Sequence, residues 1–287
     1  MSQLIESISD TARWVAAYRA HETARPDAVF KDPFARQLAG ERGEAIVRSM
    51  RGGAKAGWAL VVRTKVLDDV IAGLISRGEV DAVVNMAAGL DTRPWRMELP
   101  STLPWVDVDL PGILDYKSTA LEGHAPRCRY RAVKMDLADV AGRAELFAQL
   151  DRELGRCLVV TEGLLVYLTP EQVGSLATSL RERRNFRYWL FDLVNPVVLV
   201  TMQGLWNSTL MEGNAPMKFG PLEGTRFFEG YGWREKAFHS FLDASLALRR
   251  EMPAPASWMV RLGMRLSWER RRERFRRYSG GALLEQA

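Results

Sequence analysis

Five short apolar runs, DAVVNM, PWVDVDL, YRAVKMDL, CLVVTEG and RYWLFDLV, recur between Asp81 and Val194, and helical stretches separate them. Apolar runs that lack a polar face need cover on both sides, and the intervening helices can supply it. The separators are legible one by one. In AELFAQLDREL, Leu146, Phe147, Leu150 and Leu154 fall on one helical face. In TPEQVGSLATSLRER, Thr169 caps, Pro170 fills the first turn and Gln172 completes a capping box. With GILDYKSTALEG between the second and third runs, the pattern predicts a doubly wound α/β sheet.

The flanks read differently. TARWVAAYRAHE is helix-like, RPD breaks it, DPFARQLAG ends in a glycine suited to a helix C-terminus, and RGGAKAG marks a loop. From Trp58 a long helix follows, with Leu60, Leu67, Ile71 and Leu74 on one face and Arg63 on its shoulder. The chain thus divides into a helical N-terminal cap, 1–57, and an α/β core, 58–287. Within the core, residues from Pro196 to Gly224 are rich in methionine, tryptophan, glycine and asparagine. That segment is too long for a simple connection, which predicts a lid insertion at about 196–224. GWREKAFHSFLDASLALRR then reads as a helix, RLGMRLSWERRRERFRR as another, and GALLEQA as an edge strand.

A chain of 287 residues, 47% hydrophobic, can bury a sizeable core. Its two cysteines, Cys128 and Cys157, have no CxxC spacing, so a reducing cytoplasm is the expected setting. MSQLIESISD lacks the apolar stretch of a signal peptide, and no run reaches the roughly 18 to 20 apolar residues of a membrane span. A soluble protein without a membrane partner is the expectation. Much of the net charge of +5 sits in the eight arginines from Arg261 to Arg277. There Glu269, Glu273, Leu262, Leu266 and Trp268 keep a helical pattern, so a solvated helix face accounts for the charge. No stacking motif of an RNA-binding fold accompanies it, and nucleic acid is not expected as a partner.

The stretch VVNMAAGLDTR runs from the first apolar segment into Ala87, Ala88 and Gly89. In open α/β sheets the ligand lies beyond the strands' carboxyl ends, where small residues let the backbone approach it. Asp109 follows Gly89 by 20 residues, at the end of the second run, where an acid can hold ribose hydroxyls. Asp136 and Leu137 close the third run and Glu162 the fourth. Nicotinamide cofactors, flavins, S-adenosylmethionine and a purely structural packing glycine all fit these features taken singly. The GxGxxG fingerprint is broken, its three places falling on Ala87, Gly89 and Thr92, which favours a cofactor without phosphates.

The ordered series TARWVAAYRA, KDPFARQLAG, RTKVLDD, NMAAGLDTRPWRM, VDVDLP, KMDLAD and TEGLLVYLTPEQ resembles the leucine carboxyl methyltransferase family, including its bacterial natural-product and O-methyltransferase members. The resemblance covers about residues 11–194. It implies a Rossmann-like class I methyltransferase fold, a seven-stranded sheet with an antiparallel last strand, binding S-adenosyl-L-methionine. By motif position, Arg63 would meet the cofactor carboxylate, Gly89 its methionine part and Asp109 its ribose. Asp136 and Leu137 would frame the adenine, Glu162 would lie beside the methionine moiety, and Tyr167 would face the methyl acceptor. Ala87 stands where the family often has glycine. An alanine at negative φ costs nothing, so slightly displaced cofactor contacts are expected there. The family's N-terminal basic residue falls on either Arg13 or Arg19.

Methyl transfer from a sulfonium is an in-line displacement, served by alignment and exclusion of water. A carboxylate acceptor is already ionised and needs a cation or hydroxyl, a task suited to Arg63 and Tyr167. A phenol would call for a base. His239 has Glu235 one helical turn before it and reads as an exposed pair, while His21 and His124 read as solvated, so the lean is toward carboxyl methylation. No HxxxH or clustered carboxylates argue for a metal. Met202, Trp206, Met211, Met217 and Phe219 either line a pocket for an apolar or aromatic acceptor or cover the sheet edge, and Trp95 is equally ambiguous. The reading is an S-adenosylmethionine-dependent O-methyltransferase of a small carboxylic or phenolic molecule, of the kind found in secondary metabolism. A nicotinamide-dependent oxidoreductase and a non-catalytic nucleoside-binding protein are the alternatives.

Overall fold

All five apolar runs are strands of one sheet. The structure, a computed structural model, describes residues 8–49, 53–212 and 216–287. In chain order the elements are α1 (Ile8–Thr23), α2 (Ala35–Ser49), α3 (Gly53–Ser76), β1 (Ala82–Met86), α4 (Arg93–Arg96), β2 (Pro104–Asp109) and α5 (Pro111–Ala120). Then come β3 (Arg129–Lys134), α6 (Val140–Glu153), β4 (Cys157–Thr161), α7 (Pro170–Arg181), β5 (Tyr188–Val194) and α8 (Pro196–Glu212). The chain ends with β6 (Trp233–Ser240), α9 (Phe241–Ala247), α10 (Ala256–Leu266), α11 (Glu269–Arg276) and β7 (Ser279–Gln286).

The sheet has seven strands in the order β3-β2-β1-β4-β5-β7-β6. The first five are parallel, and β7 runs antiparallel to both β5 and β6. This is the Rossmann-like arrangement expected. The strand order reverses between β1 and β4, so a crevice opens there at the carboxyl edge. Every residue of β1 and β4 is buried, which is why their sequences show no alternation. Val83, Leu158 and Leu190 pack on one face against Leu67, Ile71 and Leu74 of α3. Val84, Val159 and Trp189 pack on the other against Phe147, Leu176 and Leu180. The capping box of Thr169 and Gln172 forms as read, with Pro170 in the first turn.

The cap packs over the carboxyl edge. Trp14, Tyr18, Leu38 and Ile46 share a cluster with Ile113 of α5 and Trp206 of α8. Arg19 donates to Asp32 at 2.8 Å, and Thr92 after β1 donates to the same carboxylate at 2.7 Å, so a buried acid ties cap to core. Gly40, read as a helix end, is a kink at φ 57° from which helix resumes.

Several readings need correction. RGGAKAG is not all loop, since α3 begins at Gly53. Gly57 lies within that helix, and a Cβ there would stand 2.6 Å from the Tyr18 ring, so glycine lets α1 press against the α3 backbone. The segment read as a helix from Gly232 is strand β6 and only then helix α9. A register shift between Glu235 and Ala237 breaks the strand's period-two pattern, and pairing with β7 supplies its hydrogen bonds. GALLEQA is not an edge strand but lies inside the sheet, where a Cβ on Gly280 would stand 2.5 Å from the Phe238 ring. The lid segment begins as helix α8, and its run of apolar residues on every face had hidden the helical period. The arginine-rich tract is two helices, interrupted at Ser267 and Trp268.

One buried charge organises β2. The Asp107 carboxylate accepts from Lys117 at 2.6 Å, Trp105 at 2.9 Å, Tyr130 at 3.1 Å and Asn85 at 3.2 Å. Lys117 and Asp107 are both fully buried, so neither charge has water to fall back on. Asp107→Ala is expected to lower unfolding free energy by about 3 to 5 kcal/mol, read by chemical denaturation, because it strands the ammonium. A loss below about 1 kcal/mol would show that water reaches Lys117.

Candidate functional site

The turn after β1 is built on two left-handed residues, Ala87 at φ 51° and Gly89 at φ 50°. A Cβ on Gly89 would sit 3.2 Å from Ala12 of α1, so strand turn and cap meet closely. The expectation that Ala87 adopts negative φ is therefore wrong. The chain must reverse here to aim its N–H groups across the crevice, and alanine takes the conformation that glycine would take without cost. Opposite, Asp109 ends β2. Its Oδ2 accepts from Gly89 N at 2.6 Å and its Oδ1 from Leu110 N at 2.7 Å. Burial pushes this carboxyl above its usual range, against the pull of those two bonds.

The floor beneath is a network of ions. Glu162, just past β4, accepts from Arg63 Nε at 2.9 Å and contacts Arg93 Nη2 at 2.8 Å. Arg63 of α3 also reaches Asp192 of β5 at 3.3 Å, and Asp192 accepts from Gly163 N at 2.6 Å. Arg93, 2% exposed, donates to Asp68 at 2.7 Å and Asp91 at 2.8 Å, while Arg96 grips Asp68 through both terminal nitrogens. Burial opposes ionisation of Glu162, but the Arg93 and Arg63 guanidiniums outweigh it and hold the carboxyl below its ordinary range.

Above this floor is a cavity of about 360 Å³. Arg63, Ala87, Gly89, Asp109, Glu162 and Tyr167 all line it, although they come from widely separated parts of the chain. Tyr167 sits in a 3-10 turn, Leu165–Tyr167, and burial pushes its hydroxyl up to about 12 despite the nearby Arg63. Met202, Trp206, Met217 and Phe219 form part of the wall, which decides for these four between pocket and edge cover. The side chain of Met211 lies outside the described residues.

The cavity does not extend to Asp136 and Leu137. They lie on the loop after β3, where exposed Asp136 accepts from Ala138 N at 2.9 Å and Leu137 packs against the sheet's core. Trp95 is core as well, donating to the His124 carbonyl at 3.0 Å and packing on Tyr130. His239 is on strand β6, and its supposed partner Glu235 instead pairs with Arg277, so that pair does not exist. His21 meets Glu44 at 2.9 Å on the cap surface. Of the two candidate N-terminal arginines, Arg19 lines the cavity and donates to the Leu90 carbonyl at 2.5 Å. The Arg13 guanidinium lies 3.8 Å over the Tyr116 ring instead. Asp91, Arg93 and Asp192 were not anticipated. The DTR sequence directly after the turn was the available signal for the first two.

A profile of the leucine carboxyl methyltransferase family matches residues 12–181, more than half of the chain. This chain belongs to that family. A relative from Saccharopolyspora erythraea, provisionally named an S-adenosyl-L-methionine-dependent methyltransferase, is 33% identical over 187 residues, 62% of this chain and 64% of its own. One from Frankia alni with the same provisional name is 35% identical over 177 residues, 58% and 61% respectively. The chain thus spans just under two thirds of the family relatives it matches. A DUF574 family protein from Streptomyces avermitilis shares the fold with TM-score 0.59 and 15% identity over 96% of this chain and 97% of its own. A provisionally named methyltransferase from Thermobifida fusca does so with TM-score 0.58 and 17% identity over 99% and 96%.

The left-handed alanine gives a direct test of the turn. Ala87→Gly should raise unfolding free energy by about 1 kcal/mol, seen as a higher melting temperature. A lower one would mean that the methyl group contributes packing worth more than the strain.

Proposed function

We propose that this chain is an S-adenosyl-L-methionine-dependent O-methyltransferase that methylates a carboxylate of a small organic molecule. The observation that carries the reading is the unbalanced acid Asp109. Each guanidinium lining the cavity already faces a carboxylate: Arg19 with Asp32, Arg63 with Glu162, Arg93 with Asp91 and Arg96 with Asp68. Among the described residues Asp109 meets only main-chain N–H groups. Such a floor has no unpaired guanidinium for a pyrophosphate, which argues against a nicotinamide dinucleotide. It has a partly buried acid with acceptor capacity left for the two hydroxyls of a ribose.

The residues present fit a phosphate-free adenosyl sulfonium. Gly89 would let the methionine part approach the turn, with Glu162 beside it, and Arg63 on the floor and Arg19 from the cap toward its carboxylate. Asp109 would hold the ribose. The adenine would lie past the enclosed cavity, along the strand ends toward Asp136 and Leu137. Bound there, the cofactor would supply an electrophilic methyl group. The chain's own task is then to hold the acceptor in line and keep water out.

No histidine lines the cavity among the described residues, and Tyr167 keeps its proton at neutral pH because its hydroxyl titrates near 12. A protonated phenol donates a hydrogen bond and is a poor base, which suits an acceptor that arrives ionised. A carboxylate is such an acceptor; a phenol is not. Lys218 at the rim adds a cation from the segment after α8. The wall of Met202, Trp206 and Met217 suits an apolar or aromatic body behind the carboxylate.

Asp109→Ala should weaken S-adenosylhomocysteine binding by about 1 to 3 kcal/mol in calorimetry, and unchanged affinity would remove the ribose assignment. Tyr167→Phe should lower kcat/KM by about tenfold to a hundredfold without moving the pH profile between about pH 6.5 and 9, since the hydroxyl does not titrate there. A profile in which rate rises with pH and flattens in the Phe variant would make Tyr167 a base. With methyl-labelled cofactor, label released from product by mild alkali marks an ester. Alkali-stable label would mean an ether and defeat the carboxylate reading.

A further inference from the structure

The connection between β6 and β7 carries a concentration of unburied apolar side chains. On α10, Trp258, Met259, Leu262 and Leu266 are 69%, 66%, 58% and 78% exposed, and Trp268, just before α11, is 80% exposed. The spacing i, i+1, i+4, i+8 puts the four helical residues on one stripe, and no residue of α10 is buried. Singly scattered apolar residues are ordinary on a surface, but a continuous stripe marks a contact.

Charge complementarity identifies the partner. Residues 256–277 hold eight arginines against two glutamates, a net +6, whereas the rest of the chain carries a net −1. Arg261, Arg276 and Arg277 are paired with Glu251, Asp243 and Glu235. Arg270, Arg271 and Arg274 line a cleft on α11 together with Trp268, Phe275 and Tyr278. A nucleic acid would satisfy the arginines but leave Met259, Leu262 and Leu266 in water. The headgroup and upper acyl region of an anionic bilayer satisfies both.

We propose that α10 and α11 dock on an anionic phospholipid surface, with the apolar stripe lying in the interface and the arginine cleft taking lipid phosphates. Ser240 pairs with Gly280, and Ser279 with Val194 at the end of β5. The connection therefore leaves and re-enters the sheet at its carboxyl edge, the edge where the cavity lies. Helix α8 starts at the same edge and exposes Val197 and Val200. Docking would turn this edge of the molecule toward the membrane. The attachment is to a surface, since no helix of the described residues is long and apolar enough to cross a bilayer. It replaces the sequence-based expectation of no membrane partner, and it stands independently of the methyltransferase reading.

The test is co-sedimentation of the full chain with phosphatidylcholine vesicles and with vesicles containing about one third phosphatidylglycerol. Binding is expected to the anionic vesicles alone and to weaken at least about tenfold between about 0.1 and 0.5 M salt. Leu262→Ser/Leu266→Ser and Arg270→Glu/Arg271→Glu should each reduce it by at least about tenfold with unchanged melting temperature, because these side chains are exposed. No binding, equal binding to neutral vesicles, or binding that survives both double substitutions would overturn the proposal. So would a dimer in solution that Leu262→Ser/Leu266→Ser converts to monomer, or binding to a single-stranded oligonucleotide in place of vesicles.

Discussion

The site depends on one shared carboxylate. Glu162 takes a guanidinium from α3 and another from Arg93 of α4, and through Arg63 and Asp192 the same network reaches β5. Four separate elements thus meet through charge at the carboxyl edge, where backbone pairing has ended and the sheet no longer fixes their spacing. Arg93 is buried and Arg63, Glu162 and Asp192 are mostly so, so desolvation works against all of them, and the network is stable only as a complete set. That completeness has a functional corollary. Because the arginines are satisfied by the protein itself, the floor presents oriented, already neutralised groups, and the acid left over is Asp109 on the neighbouring strand.

Strain at Ala87 makes sense beside this network. A left-handed alanine costs about 1 to 2 kcal/mol, and nothing local repays it. The conformation is held because Asp91, four residues on, is fixed by Arg93 and by Asn85, whose amide donates to it at 3.0 Å. With Met86 locked in the sheet on one side and Asp91 in the ion network on the other, the intervening loop has little freedom. The N–H of Gly89 then faces Asp109 whether or not residue 87 is glycine.

What the sequence made legible follows from the range of the interactions. β1, β2, β4 and β5 were readable because burial on both faces leaves apolar runs, β3 at the sheet edge from its shorter run before Asp136, and Thr169, Pro170 and Gln172 because a capping box is local. Gly89 and Asp109 were readable because strand ends of adjacent parallel strands recur at a regular separation. β6 was misread because a bulge erases its alternation and its partner, β7, lies some forty residues later. Arg63 and Asp192, 129 residues apart, carry no mutual signal in a single sequence. Asp91 and Arg93 are marked by the DTR run, but their distant partners, Asp68 of α3 and Glu162 past β4 for Arg93 and Asn85 of β1 for Asp91, are not. Resemblance to the methyltransferase family supplied positions for Arg63 and Glu162, but not the fact that they bind each other.

The two sides of the cavity are fastened by different forces, and this separates what can vary from what cannot. The cap is tied down by buried ions: Asp32, paired with Arg19 inside the cap, accepts from Thr92 of the core, and Arg250 of the core pairs with Glu22 at 2.9 Å near the end of α1. Helix α8 is held by apolar and aromatic contacts, with Trp206 edge-on to Trp14 at 5.4 Å, and by Gln203 donating to the Met217 carbonyl. Ion networks tolerate little displacement, since an ångström of separation exposes unpaired charge in a poorly solvated site. Methionine and aromatic contacts can slide and repack at small cost. On the methyltransferase reading, the rigid side therefore serves the donor, whose shape never changes. The compliant side serves the acceptor, and differences in substrate among relatives should be sought in α8 and the segment after it, not in the charged floor.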